Sequence, residues 1–111
     1  MEISTRKDQA CTIVDLVGEV DIHGTPQLKE ALSSLTKEGS LKLLVNLSKV
    51  TYIDSSGLGV LVGALKEATK QGGRLVLAGM TRDVKTVFDL TRLAKFFEIY
   101  DDEATAKSHL A

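Results

Sequence analysis

The feature that most limits what this chain can become is the strand-like run "LKLLVNL", Leu41 to Leu47, followed a few residues later by the helical pattern "SGLGVLVGALKEATKQ". A nearly continuous apolar strand has no solvent face, so it belongs in the interior of a sheet covered on both sides. The helix must supply part of that cover. Leu58, Leu61, Val62, Leu65 and Thr69 fall on one helical face, which leaves Ser56, Val60, Gly63 and Glu67 on the other. Gly72-Gly73 stop the helix, and "RLVLAG" repeats the buried-strand pattern. The chain is thereby committed to strands that alternate with helices.

The remaining segments extend that plan. Alternation and β-branched residues from "EISTRKD" to "ACTIVDLVGEV" predict an opening hairpin that turns near Asp8-Gln9. Gly18 is expected to break its second strand, and "EVDIHG" to form a short continuation or loop. "TPQLKEALSSLTKEG" predicts a helix with Thr25 as N-cap and Pro26 in the first helical position, where no N–H is needed. Leu28, Ala31, Leu32 and Leu35 form its buried face, and Gly39 marks its exit. "SKVTYID" reads as a loop. "TRDVKTVFDLTR" predicts a third helix with Val84, Val87 and Phe88 inward, "FFEIY" a last short strand, and "DDEATAKSHLA" a terminal helix with acids at its positive end. The fold class is α/β, with a mixed sheet of four to five strands flanked by about four helices.

Bulk properties exclude several functions. Fourteen basic and fifteen acidic side chains among 111 residues leave a net charge of −1, so there is no basic footprint for nucleic acid. The longest apolar run, "LGVLVGAL", is far below the roughly 20 residues needed to span a bilayer, and direct membrane insertion is not expected. "MEISTRKDQA" lacks the apolar core of a secretory signal. The single Cys11 has no partner for a disulfide and reads as a small buried hydrophobe, which points to a cytoplasmic protein.

"YIDSSGLGVLVGALKEA" carries the chemistry candidates. Asp54, Ser55 and Ser56 are three possible N-caps in a row, and one cap accounts for only one of them. A nucleophile elbow would need G-x-S-x-G and a base, whereas Tyr52-Ile53-Asp54 lie upstream and the only histidines are His23 and His109. A phosphate cradle is weakly signalled, since "GLG" lacks the Walker lysine and Asp54 would repel phosphate. Glu19, Asp21 and His23 share one side of an extended strand and could ligate a metal, but no further ligand pair accompanies them. Gly63 costs a helix about 1 kcal/mol relative to Ala, which suggests a packing or contact reason for it. No cofactor is expected.

"GEVD" with a Thr-Pro helix start, "LLVNLSKVTYID", "SSGLGVLVGALKEA", "GGRLVLAG" and "VFDLTRLAKFFEIYDDEATA" together resemble bacterial anti-sigma factor antagonists, the small stand-alone STAS domains. The resemblance runs from about Ile3 to Leu110 and implies a single STAS domain over residues 1–111. It implies a protein without catalysis of its own that binds an anti-sigma factor with serine kinase activity and so releases a sigma factor. Phosphorylation of Ser55 would switch it off, and a serine/threonine phosphatase would restore it. The surface implied for the partner comprises Asp21, His23, Thr25, Asp54, Ser56, Gly57, Gly59, Val60 and Gly63. A different implication of the same domain type is a scaffold or adaptor subunit of a larger signalling or membrane-transport assembly.

Overall fold

The computed structural model describes residues 1–9 and 11–111. Its strands are β1 (Glu2–Asp8), β2 (Cys11–Val20), β3 (Lys42–Ile53), β4 (Arg74–Ala78) and β5 (Glu98–Tyr100). Its helices are α1 (Thr25–Lys37), α2 (Ser55–Lys70), α3 (Arg82–Leu90) and α4 (Glu103–Leu110), with a 3-10 turn at Ala94–Phe96. The strands form one sheet in chain order, β1 antiparallel to β2 and every later neighbour parallel. The expected mixed α/β sheet is therefore present, with five strands and four helices among the described residues.

Parallel neighbours need crossovers, and crossovers of one hand on a sheet that runs steadily one way put their helices on one face. That is where α1, α2 and α3 lie. They bury Leu28, Leu32, Leu35, Leu58, Leu61, Ala68, Val84 and Phe88 against Val14, Leu43, Val45, Leu47, Leu75 and Leu77. The alternate residues Cys11, Ile13, Leu44, Val76 and Ala78 point the other way, into a smaller core closed by Ala106 and Leu110 of α4. Period-two alternation thus divides β3 between two cores, which is why its sequence looks apolar throughout. Cys11 sits in the smaller core, and burial raises its thiol pKa.

A charged network joins α4 to the hairpin. Arg6 makes a bidentate contact with Asp15, at 2.6 and 2.9 Å, and also reaches Glu103. Asn46 Nδ2 donates to Glu103, and Lys107 Nζ to Asp8 at 2.8 Å. The Arg6 guanidinium holds the Glu103 carboxyl below the usual carboxylate range.

The structure corrects four local expectations. Gly18 does not end β2: with φ +103° it accommodates a bulge where the register against β3 shifts, and the strand continues to Val20. "SKVTYI" is strand rather than loop, because β2 continues beside it and pairs Val17 with Lys49 and Glu19 with Tyr52. Thr25 is not the α1 cap. Gly24 occupies the cap position, Thr25 is the first helical residue, and its hydroxyl donates to the Ile22 carbonyl at 3.3 Å. On α2 the inward residue of the last turn is Ala68, whereas Thr69 is exposed.

Phe88 is the anchor of the nine-residue α3; it is fully buried and meets the Phe97 ring edge-on at 5.7 Å between centroids. Removing a buried Phe side chain costs about 3–5 kcal/mol. Phe88→Ala should accordingly lower the urea midpoint steeply, and an unchanged midpoint would show that α3 is not part of the cooperative unit.

Candidate functional site

Strand β3 ends at Ile53 and delivers Asp54 to the mouth of α2. Asp54 is extended, at φ −108° and ψ −177°, the geometry of an N-cap. Its Oδ1 accepts the Gly57 N–H at 3.1 Å and the Ser56 hydroxyl at 2.5 Å. The Ser56 hydroxyl, then the N–H groups of Gly57, Ser56 and Ile22, hold the Asp54 carboxyl below its ordinary pKa. Among the three possible caps, the aspartate therefore caps. Ser56 braces it and has no donor left over.

Ser55 differs from both neighbours. It is the first residue of α2 and exposed, and among the described residues its hydroxyl makes no side-chain hydrogen bond. It stands free at the positive end of a 16-residue helix.

Gly57 has the opposite role from the one the resemblance implies. It is buried, and a Cβ there would lie 2.8 Å from Val20 Cγ1 and 2.9 Å from both Ile53 Cγ1 and the Val20 carbonyl oxygen. It lets α2 seat on the strand ends and offers no outward surface. Gly59 and Gly63 face open space, and Val60 is half-buried between them.

The β2–α1 turn is held from within. Asp21 Oδ1 accepts the N–H groups of His23 at 3.0 Å and Gly24 at 3.3 Å, and the Asp21 carbonyl accepts those of Gly24 and Thr25. Asp21 is thus a turn-builder. Thr25, only 8% exposed, supports the turn and presents almost no surface. What the turn does present is Ile22, 66% exposed, together with His23. The Asp54 N–H donates to the Val20 carbonyl at 3.1 Å, which fastens this turn beside the mouth of α2. Tyr52, 49% exposed, lies one residue before the end of β3. Ile22 and Tyr52 were absent from the sequence-derived site. An apolar residue inside an otherwise polar turn, "DIHG", was the available signal.

The arrangement is poor for nucleophilic catalysis. Among the described residues no imidazole or other base is hydrogen-bonded to Ser55, and the N–H of His23 that bonds here is its backbone group, spent on Asp21. Among the described residues no three His, Cys, Asp or Glu side chains are grouped to hold a metal, and no helix is long and apolar enough to cross a membrane. The geometry is suited to a hydroxyl that another protein can reach.

Comparison with known proteins agrees with the fold. The STAS domain model matches residues 2–106, so this chain belongs to the STAS domain family. Within that family it stands with the anti-sigma factor antagonists. The anti-sigma-B factor antagonist of Bacillus subtilis is 34% identical over 99 residues, which cover 89% of this chain and 90% of that one. A Thermotoga maritima structure, of a candidate anti-sigma factor antagonist, superposes with TM-score 0.92 at 28% identity and covers 97% of this chain and 93% of its own. The Bacillus antagonist SpoIIAA shares the fold in its unphosphorylated form (TM-score 0.85, 22% identity, 98% and 96% coverage) and its phosphorylated form (TM-score 0.78, 21% identity, 99% and 100% coverage).

The Asp54 cap can be weighed directly. Asp54→Ala should destabilise the fold by about 0.5–2 kcal/mol, and Asp54→Asn by much less, since Asn caps as well as Asp. Because the folded-state pKa is depressed, the carboxylate contribution is complete above the unfolded value and is lost as pH falls through the folded one. Urea titrations should therefore show the advantage of wild type over Asp54→Asn shrinking in acid. A pH-independent difference would contradict the assigned cap.

Proposed function

We propose that this chain is an anti-sigma factor antagonist that works by binding, and that phosphorylation of Ser55 switches the binding off. The observation that carries the reading is the exposed Ser55 hydroxyl on the first turn of α2, without a side-chain hydrogen bond among the described residues, beside a Ser56 hydroxyl already donated to Asp54 Oδ1. The partner is an anti-sigma factor with serine kinase activity. A serine/threonine phosphatase returns the chain to its active form. The binding face comprises Asp54, Ser56, Gly59, Val60 and Gly63 with the Asp21-built turn, where Ile22 and His23 make the contact. The relatives support this: one is named for antagonising an anti-sigma factor, and another is known with and without phosphate.

The electrostatics explain a switch without refolding. A phosphoryl group adds about −1.5 to −2 charge, and at a helix N-terminus the dipole favours that charge. The cost falls on the complex instead. A dianion beside Asp54 would have to enter a surface shaped for a neutral hydroxyl, and burying an uncompensated charge costs about 3–5 kcal/mol. At about 1.4 kcal/mol per tenfold in affinity, that suffices to release the partner.

Ser55→Ala should keep its thermal stability, bind the anti-sigma factor constitutively and take up no phosphate. Ser55→Asp should stay folded and lose at least tenfold in affinity. Peptide mapping after kinase treatment should place the phosphate on Ser55; phosphate on Ser56 or Thr51 would overturn the assignment.

A further inference from the structure

A groove of about 630 Å³ runs between α1 and α2, starting at Ser56 and leading away from Ser55. Its α2 wall is Ser56, Gly59, Val60, Gly63, Ala64 and Glu67. Nothing lies within 4 Å of where a Cβ would stand on Gly59 or Gly63, so this wall is low and bare. Leu32, nearly fully buried, contributes an apolar floor.

An account of its polar groups shows an asymmetry. On the α2 side the Ser56 hydroxyl is bonded to Asp54, and Glu67 accepts from Gln71 at 2.9 Å. The Thr36 hydroxyl donates to backbone carbonyls of its own helix. Glu67 keeps its charge, because its partner Gln71 is a neutral amide. Among the described residues, the polar lining side chains with neither a hydrogen bond nor an ion pair are Lys29, Ser33 and Lys37, all on α1. They recur at i, i+4 and i+8, on one face of the helix. Neither lysine forms an ion pair among the described residues. The two ammonium-bearing positions are two turns apart, about 12 Å at roughly 1.5 Å per residue.

A low α2 wall, apolar at Gly59, Val60, Gly63 and Ala64 with one acid at Glu67, faces an α1 wall with two separated cations, which matches an element that is apolar toward α2 and acidic toward α1. A single-headed amphiphile would use one cation; an amphipathic helix with acidic residues about two turns apart uses both. The groove is continuous with the face assigned to the anti-sigma factor, since Ser56, Gly59, Val60 and Gly63 belong to both. We infer that the α1–α2 groove docks an acidic amphipathic helix of the anti-sigma factor, with Lys29 and Lys37 pairing to its carboxylates. The inference rests on the binding function proposed above and adds α1, a helix that function does not use. It makes the interaction bipartite: a contact at Ser55 that phosphate breaks, and a groove contact that sets partner choice through charge.

The test uses the full chain carrying Ser55→Ala and the purified anti-sigma factor of the same organism. Lys29→Glu with Lys37→Glu should weaken binding at least tenfold and flatten its salt dependence, without changing the melting temperature. In ¹⁵N-labelled protein the amides of Lys29, Ser33 and Lys37 should shift on complex formation. If the double variant binds as tightly as its parent while Ser55→Asp still releases the partner, the groove inference fails and the function stands. If Ser55→Ala itself binds no anti-sigma factor, the function fails and takes the inference with it. Shifts of the same amides with dodecanoate but not with the anti-sigma factor would overturn it in favour of a small amphiphile. A doubled mass in light scattering that the lysine changes abolish would overturn it in favour of a second copy of the chain.

Discussion

Everything in this molecule is referred to β3. It is hydrogen-bonded on both sides by parallel partners, β2 and β4, and sends Leu43, Val45 and Leu47 to one core and Leu44 to the other. A strand in that position cannot shift by one residue without exchanging its two faces, so its register is rigidly specified. Its C-terminal end is therefore fixed as well. Ile53 is buried there, and the next residue is Asp54. Ser55 follows directly, as the first residue of α2.

The site depends on which polar groups are occupied. Asp54 satisfies helix donors and the Ser56 hydroxyl, while Asp21 satisfies the donors of the neighbouring turn. Gly57 lets the two pieces meet by leaving out a side chain. With these demands met internally, Ser55, Ile22 and His23 can be displayed on rigid backbone at little cost in order when a partner binds. The proposed phosphorylation of Ser55 would then act on an interface and not on the fold.

Much of this was legible in the sequence. The apolar run of β3, the Gly72-Gly73 stop and the period of α2 were enough for the sheet and its helical cover. "Asp-Ser-Ser-Gly-Leu-Gly" at a strand-to-helix junction singled out the candidate site. The misreadings share one cause, since each judged a residue by its own type when a neighbour held the decision. Thr25 looks like a cap, but Asp21 organises that turn. "SKVTY" looks like a loop, but β2 lies alongside and continues the ladder. Gly57 and Gly59 look equivalent in sequence, yet one abuts Val20 and the other faces solvent.

What the sequence by itself determined were the local periods and the junction: where strands and helices run, and that a hydroxyl follows an acid at the start of a helix. Those follow from alternation and from capping chemistry, which act over a few residues. Only the tertiary structure decided which of Asp54, Ser55 and Ser56 is left free and that Ile22 is the apolar residue displayed. It also decided that α1 and α2 enclose a groove whose uncommitted cations all stand on one wall. Hydrogen bonds and packing between distant segments assign those roles, because a polar group is free only when nothing else in the fold has already claimed it.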